Sequence, residues 1–253
     1  MMLDVALMFA RFAFPPNELG YCGPDASAEL LERAAVGAGG PQLRTLARGF
    51  AGAWPYLELI AAANAISDPL DPRVVEAYWL GNVLLDQVRP RVLADSLVAR
   101  FGSQVRDRDR LLAPLGAGAL PHHGFHVFGV YPWVGLLRTG RVDEPLSVLE
   151  RCRIRWGRVE SVAGDEAIVA SRPLLWTGTR LELGGPRQET VIAGRRGYQL
   201  TSGLRAGDWC ALHWDWACQR LSARQLRALA RYTRRQLVAV NCVPHPAPAS
   251  VLS

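Results

Sequence analysis

The sequence of 253 residues contains no lysine, so all 29 of its basic residues are arginines. This absence excludes chemistry that needs a lysine amine, namely Schiff-base catalysis, pyridoxal-phosphate anchoring and P-loop nucleotide binding. No GxGxxG motif opens a βαβ unit, so a Rossmann nucleotide site is unsupported as well. The sequence therefore predicts a protein that works without a cofactor.

Cysteine is scarce, and none of the five cysteines forms a CxxC pair. Zinc knuckles and thioredoxin-type sites depend on such pairs, so both are unsupported. The default interpretation of each cysteine is a reduced, partly buried thiol that packs as a small hydrophobic group. The five positions are Cys22, Cys152, Cys210, Cys218 and Cys242.

Long apolar runs are missing too, since no uninterrupted run approaches the roughly 20 residues of a membrane span. The first residues include Asp4 and Arg11 and lack the basic start and small-residue cleavage site of a signal peptide. We therefore expect no membrane partner and a cytoplasmic location.

The charge balance is basic, with a net charge of +6 and an isoelectric point near 9.4. Such a charge favours an anionic partner. No RNP, helix-turn-helix or zinc-finger pattern is present, so nucleic acid is not predicted as that partner. A solvated arginine surface without a partner is the alternative.

The first half of the chain has helical patterns. Pro15 and Pro16 are expected to stop the first helix, and Trp54-Pro55 to kink or divide the third. The predicted helices cover 3–14, 26–36, 42–66, 72–88 and 90–101.

After Pro132 the pattern changes to short runs separated by Gly, Pro and Asp, which favours a small antiparallel sheet or a partly closed barrel. The predicted strands are 146–156, 158–162, 167–171, 174–176, 179–183, 189–193 and 208–212, and a basic amphipathic helix follows at 221–240. We thus predict an α+β protein that is mainly helical at its N-terminus. Its parts are a helical subdomain at 1–120, a β-rich subdomain at 121–216, and a C-terminal helix and tail at 217–253 that pack back on the helical part.

Three histidines, His122, His123 and His126, lie where these two patterns meet, and ligand pockets favour such junctions. If the segment is extended, His122 and His126 share one face and His123 lies on the other. No carboxylate is adjacent and no HExxH pair is present, so we predict no metal site. The three are candidate catalytic residues for acid–base chemistry or anion binding. Metal binding and a purely structural role are the alternatives.

The turn Tyr21-Cys22-Gly23-Pro24-Asp25 supplies a further candidate catalytic residue, Asp25, as a general base whose proton affinity desolvation could raise. A helix cap is the alternative role for Asp25. Cys22 is either a packed thiol or a nucleophile. A set of aromatic and polar side chains could form the walls of a substrate pocket, or simply pack in the core. The candidate substrate-binding residues are Tyr21, Trp54, Trp79, Asn82, Tyr131, Arg138 and His213.

Several long stretches resemble an uncharacterised actinobacterial family, and the similarity covers nearly the whole chain. They are FARFAFPPNELGYCGPD (9–25), DPLDPRVVEAYWLGNVLLD (68–86), PHHGFHVFGVYPWVGLLR (121–138), CRIRWGRV (152–159) and LHWDW (212–216). Members of that family are met near nickel-iron hydrogenase genes, so the resemblance implies an accessory role in hydrogenase maturation or metal handling.

The chain is also similar in type to cofactor-free proteins that close aziridine rings in azabicyclic natural-product pathways of the azinomycin and vazabitide group. That resemblance implies a small anionic substrate carried on a small acidic amino-group carrier protein, which a basic protein would attract.

Ring closure needs a base, donors that receive the departing anion, and a wall that folds the substrate. Asp25 could be the base, the histidines and Arg138 the anion receivers, and the tryptophans the wall. The favoured hypothesis is a cofactor-independent cyclase that eliminates an anion such as sulfate. The alternatives are a non-enzymatic accessory protein for hydrogenase maturation or metal handling, and a basic adaptor that only binds an acidic partner.

Overall fold

The computed structural model describes residues 5–37, 40–103 and 108–243, and helices dominate the described chain up to residue 152. The predicted α+β class, with a C-terminal helix after the sheet, is confirmed. The helices are α1 (Val5–Glu18), α2 (Ser27–Val36), α3 (Pro41–Arg48), α4 (Trp54–Ala63), α5 (Pro72–Trp79), α6 (Pro90–Phe101), α7 (Arg108–Gly116), α8 (His123–Phe125), α9 (Trp133–Arg138), α10 (Asp143–Cys152) and α11 (Ala223–Asn241).

Helix α1 lies at the centre of the helical part, where it contacts α2, α3 and α5. The predicted stop at Pro15 and Pro16 is wrong, because α1 runs through both prolines to Glu18. Each proline removes one helical hydrogen bond. Burial of the preceding Phe14 and two bonds from the Asn17 amide to the following turn hold the segment in place. Residues 3 and 4 of the predicted first helix lie outside the described residues.

The division predicted at Trp54-Pro55 is confirmed, since α3 and α4 are separate helices. The predicted helix at 72–88 is only partly correct. Helix α5 ends at Trp79, Gly81 has a φ of +89°, and a 3-10 turn at Val83–Gln87 follows. The Asn82 side chain accepts a hydrogen bond from the Leu84 amide at the start of that turn.

The segment from residue 121 to residue 152 is helical, so the extended conformation considered for the histidine stretch is wrong. His122 caps α8 by accepting a bond from the Gly124 amide, and a π-helical turn continues at His126–Val130. The strand predicted at 146–156 is also wrong up to Cys152. Pro145, Leu149 and Cys152 are the buried residues of α10, and their spacing of four and three residues is that of a helix face.

Five of the seven strands in the described part of the chain close into a small barrel in the order β1-β2-β5-β7-β6, and β3 and β4 form a separate pair. The strands are β1 (Arg155–Ala163), β2 (Glu166–Ser171), β3 (Leu174–Trp176), β4 (Leu181–Leu183), β5 (Arg187–Ile192), β6 (Trp209–His213) and β7 (Trp216–Arg220). Strand β7 was not predicted, and it closes the barrel through a parallel bridge between Ile192 and Trp216. All other pairings are antiparallel.

Helix α11 packs against α7, α8 and β4. It begins with a capping box between Ser222 and Gln225. Two ion pairs, Arg224 with Glu76 and Arg235 with Asp86, tie it to the chain around α5. The predicted tail at 244–253 lies outside the described residues. Among the described helices, none is both long and apolar enough to cross a bilayer.

The chain reversal after α5 depends on Gly81. A Cβ at this position would lie 2.2 Å from Cδ2 of Tyr232. We expect Gly81→Ala to lower the free energy of unfolding by about 1–3 kcal/mol from backbone strain and by about 1–3 kcal/mol more from overpacking. Chemical denaturation measures the sum of the two losses.

The matched control is Gly140→Ala, because Gly140 has a similar φ of +91° and a Cβ there would meet nothing within 4 Å. It should show only the backbone cost. Equal losses in the two variants would contradict the role of the Tyr232 contact.

Candidate functional site

His123 is held between the helical part and the end of α10. Its Nε2 lies 2.8 Å from the carbonyl oxygen of Cys152, which can only accept, so Nε2 carries the proton. Its Nδ1 then accepts from the hydroxyl of Tyr78 at 3.3 Å. The ring also lies 4.7 Å from that of Trp79. Both ring nitrogens are thus oriented by neighbours from other segments.

His213, at the end of β6, is oriented by helix α1. Its Nδ1 lies 2.6 Å from the carbonyl oxygen of Phe12, so Nδ1 donates and Nε2 keeps its lone pair. That Nε2 atom is buried and has no hydrogen-bond partner among the described residues. The ring centroid lies 5.2 Å from that of His123.

Three donors of the kind that bind transition metals meet at this point. His123, Cys152 and His213 each offer a nitrogen or sulfur atom, all three atoms lie within 4.8 Å of one another, and all three residues are buried. Around a tetrahedral ion with ligand bonds of roughly 2.0–2.3 Å, such atoms would stand about 3.5 Å apart. Modest movements of the side chains would bring the three atoms to this spacing, and His123 would have to exchange the hydrogen bond that one of its ring nitrogens makes, to Tyr78 or to the Cys152 carbonyl, for the bond to the ion.

Burial sets the protonation of this cluster. It lowers the pKa of His123 to about 4 and that of His213 well below its ordinary value, so both imidazoles are neutral near pH 7. It raises the pKa of the Cys152 thiol, with a further rise from nearby Cys22. The neutral imidazoles suit metal binding, whereas Cys152 would have to release its proton to an ion that replaces it.

Cys22 connects the turn after α1 with the cluster. It is partly exposed, burial raises its pKa to about 12, and its charge would raise the pKa values of Cys152, Tyr78 and Tyr131. A charge in the turn at 21–25 would therefore act on Tyr131 of the histidine stretch as well as on Cys152.

A second polar group surrounds His126 in the π-helical turn, a kind of irregularity that is frequent at functional sites. Its Nδ1 lies 3.2 Å from the hydroxyl of Tyr56, and its ring 4.5 Å from that of Tyr131. The Arg100 guanidinium stacks 4.6 Å over Tyr56. Tyr56 also stacks on Tyr78, which joins this group to the His123 cluster.

The structure brings five predicted residues into one connected set of ring contacts, namely Trp79, His123, His126, Tyr131 and His213. The other six lie elsewhere. Asp25 is exposed, Tyr21 stacks on Trp214, Trp54 bonds to Glu58, Asn82 caps the 3-10 turn, Arg138 donates to the Val240 carbonyl, and His122 stacks on Tyr232.

The candidate residues chosen from the sequence did not include four members of these two groups, Tyr56, Tyr78, Arg100 and Cys152. Each comes from a different helix. The cluster ligands stand at positions 123, 152 and 213, so no short spacing motif connects them. The two tyrosines looked like ordinary core residues, and both are in fact buried.

A model of a family of unknown function, DUF6390, matches residues 3–246, and the chain belongs to that family. Neither a curated protein nor a solved structure matches the chain significantly.

The buried histidines make stability depend on pH. Burial lowers the pKa of His122 to about 3 and that of His123 to about 4, whereas an unfolded histidine titrates near 6.5. The unfolded chain therefore binds more protons below pH 6.5, and the stabilisation is lost as the pH falls. We expect the free energy of unfolding to drop by about 3 kcal/mol between pH 7.5 and 5.5 from these two residues.

Urea denaturation at a series of pH values measures this fall. His123→Gln removes one of the titrating groups and should make the slope shallower, even though the variant starts from a lower stability. A wild-type free energy that stays constant from pH 7.5 to 5.5 would contradict neutral buried histidines.

Proposed function

We propose that this DUF6390 protein is a metal-binding accessory protein, and that His123, Cys152 and His213 hold a transition-metal ion. The observation that carries the proposal is the meeting of two imidazoles and one thiol, from three distant segments, within 4.8 Å inside the fold. Strand alternation was one reason to predict no metal site at the histidine stretch. That reason does not hold, because the segment is helical.

The orientation of His213 supports the same conclusion. A histidine that binds a metal typically donates its other ring N–H to a carbonyl or carboxylate, as His213 does to Phe12. An unpaired buried acceptor costs about 1–3 kcal/mol. Metal coordination would use the Nε2 lone pair that has no partner among the described residues.

The donor set restricts the class of metal. Imidazole and thiolate suit zinc, nickel, cobalt and copper, whereas magnesium and calcium prefer oxygen ligands. Three protein ligands leave the fourth tetrahedral position for an exchangeable group, unlike a closed four-cysteine structural site. An accessory protein that accepts and releases its ion needs such a position. The resemblance to proteins met near nickel-iron hydrogenase genes favours nickel.

Ring closure with loss of an anion is a second candidate. The observation in its favour is the group of donors around His126, in which Arg100 rather than Arg138 would receive the anion. The predicted base, Asp25, is exposed on the turn after Gly23. Turnover of a sulfated amine by metal-free protein would favour this candidate over metal handling.

Metal titration of the purified full chain tests the main proposal. Wild-type protein should bind one equivalent of Ni²⁺ or Zn²⁺, and Co²⁺ should give a thiolate-to-cobalt charge-transfer band. Cys152→Ser and His213→Gln should each weaken binding at least tenfold, which is about 1.4 kcal/mol. Cys210→Ser is the matched control, because Cys210 is also a buried thiol but lies in the barrel core.

Two results would contradict the proposal. One is a folded wild-type protein that binds none of the three ions at micromolar concentration. The other is an affinity, or a cobalt charge-transfer band, that Cys152→Ser leaves unchanged.

The two prolines of α1 allow a sharper test of His213 as a positioned ligand. Pro16 stands four residues after Phe12 and has no N–H, so it leaves the Phe12 carbonyl to His213. Pro16→Ala supplies a competing donor and should weaken metal binding by about 10-fold, the low end for loss of an outer partner. Pro15→Ala, the control, supplies a donor only to the Arg11 carbonyl. Equal metal affinities in the two variants would contradict the proposal that the bond to Phe12 positions His213.

A further inference from the structure

A cleft of 430 Å³ lies between α10, the start of β3 and the start of β5, and none of the three cluster residues His123, Cys152 and His213 lines it. This volume falls in the range of small-molecule sites, roughly 300–1,000 Å³. One face of α10 fronts the cleft, with residues spaced three and four apart. The α10 residues in the lining are Asp143, Leu146, Ser147, Glu150 and Arg151.

The floor of the cleft is a buried arginine without spare donors. The five N–H groups of Arg155 are matched by bonds to Glu189 and to the carbonyl oxygens of Glu150, Arg151 and Trp214. A guanidinium has only five such donors. Arg155 therefore builds the cleft and has no donor left for a ligand.

Most charges in the lining are compensated within the protein. Arg155 pairs with Glu189, and Arg151 with Asp215. Glu150 pairs with Arg153, which is buried behind the cleft. These pairs leave the floor and one rim close to neutral.

Two charges in the lining have no ion-pair contact within 4.0 Å in the described part of the chain, Asp143 at the start of α10 and Arg187 at the start of β5. Both are exposed and come from different elements. Arg187 also acts at longer range on Glu189, whose carboxylate already pairs with Arg155. Leu146, Leu174 and Leu175 add an apolar wall. The cleft thus offers one negative charge, one positive charge and a surface for a short hydrocarbon chain.

We propose that this cleft binds a small aliphatic zwitterion, with its ammonium group on Asp143, its carboxylate on Arg187 and its carbon chain against the leucines. A bidentate arginine–carboxylate contact fits this arrangement. The site is separate from the metal cluster, and the proposal does not depend on metal binding.

A series of ω-amino carboxylates of increasing length, from β-alanine to 6-aminohexanoate, is the probe. Calorimetric titration into the full-length protein should find one length that binds best. That compound should bind at least tenfold more tightly than the alkylamine or the alkyl carboxylate of the same chain length. Equal affinity for the amine alone, or for the carboxylate alone, would overturn the zwitterion assignment.

Asp143 and Arg187 are exposed, so we expect substitutions at these two residues to leave the fold intact. Asp143→Asn and Arg187→Gln should each weaken binding of the best probe at least tenfold. Glu144→Gln and Arg158→Gln are the matched controls, since Glu144 follows Asp143 but lies outside the lining, and Arg158 is exposed on β1. Addition of Zn²⁺ should leave probe binding unchanged, which separates this site from the metal cluster. Absence of binding to every probe at millimolar concentration, or wild-type affinity in both cleft variants, would overturn the proposal.

Discussion

The hydrogen bond from His213 to the Phe12 carbonyl, 2.6 Å long, connects the two halves of this molecule. Pro16 cannot donate to that carbonyl as the fourth residue of an ordinary helical turn would, so no helical N–H competes with His213 there. The same stretch of α1 stacks Phe12 on Trp79 and places Phe14 edge-on against Trp216 of the barrel. One segment of α1 therefore both contacts the barrel and orients the candidate ligand His213.

Burial sets the protonation state of the histidines at the junction of the two halves. Inside a medium of low dielectric constant the charged imidazolium is disfavoured, so the histidines at the junction stay neutral. Each of His123 and His126 faces a tyrosine hydroxyl, and the two tyrosines stack on one another. A chain of hydrogen bonds and ring contacts thus runs through a region that is otherwise apolar, from the candidate metal donors at one end to Arg100 at the other.

On the barrel side, the buried polar groups are charged arginines. Arg153 and Arg155 are both 2% exposed, and carboxylates and carbonyls around them compensate their charge. Breaking such a buried pair by removing one partner is costly, about 3–5 kcal/mol. These buried ion pairs lie next to the α10 cleft. The charges that stabilise the fold are therefore different from the two exposed charges of the cleft, Asp143 and Arg187. A basic chain can in this way present a local surface with both signs of charge.

Strong local patterns were sufficient to predict α2, α6, α11 and most of the strands, and the lack of lysine excluded whole classes of catalyst. Local clusters of unusual residue types also identified Trp79, His123, His126, Tyr131 and His213 as candidates. The helical conformation of the histidine stretch followed from the fold, since a segment buried on all sides has no periodicity to read. Packing also brought Cys152 to His123 and His213, because residues so far apart along the chain meet only in the folded protein.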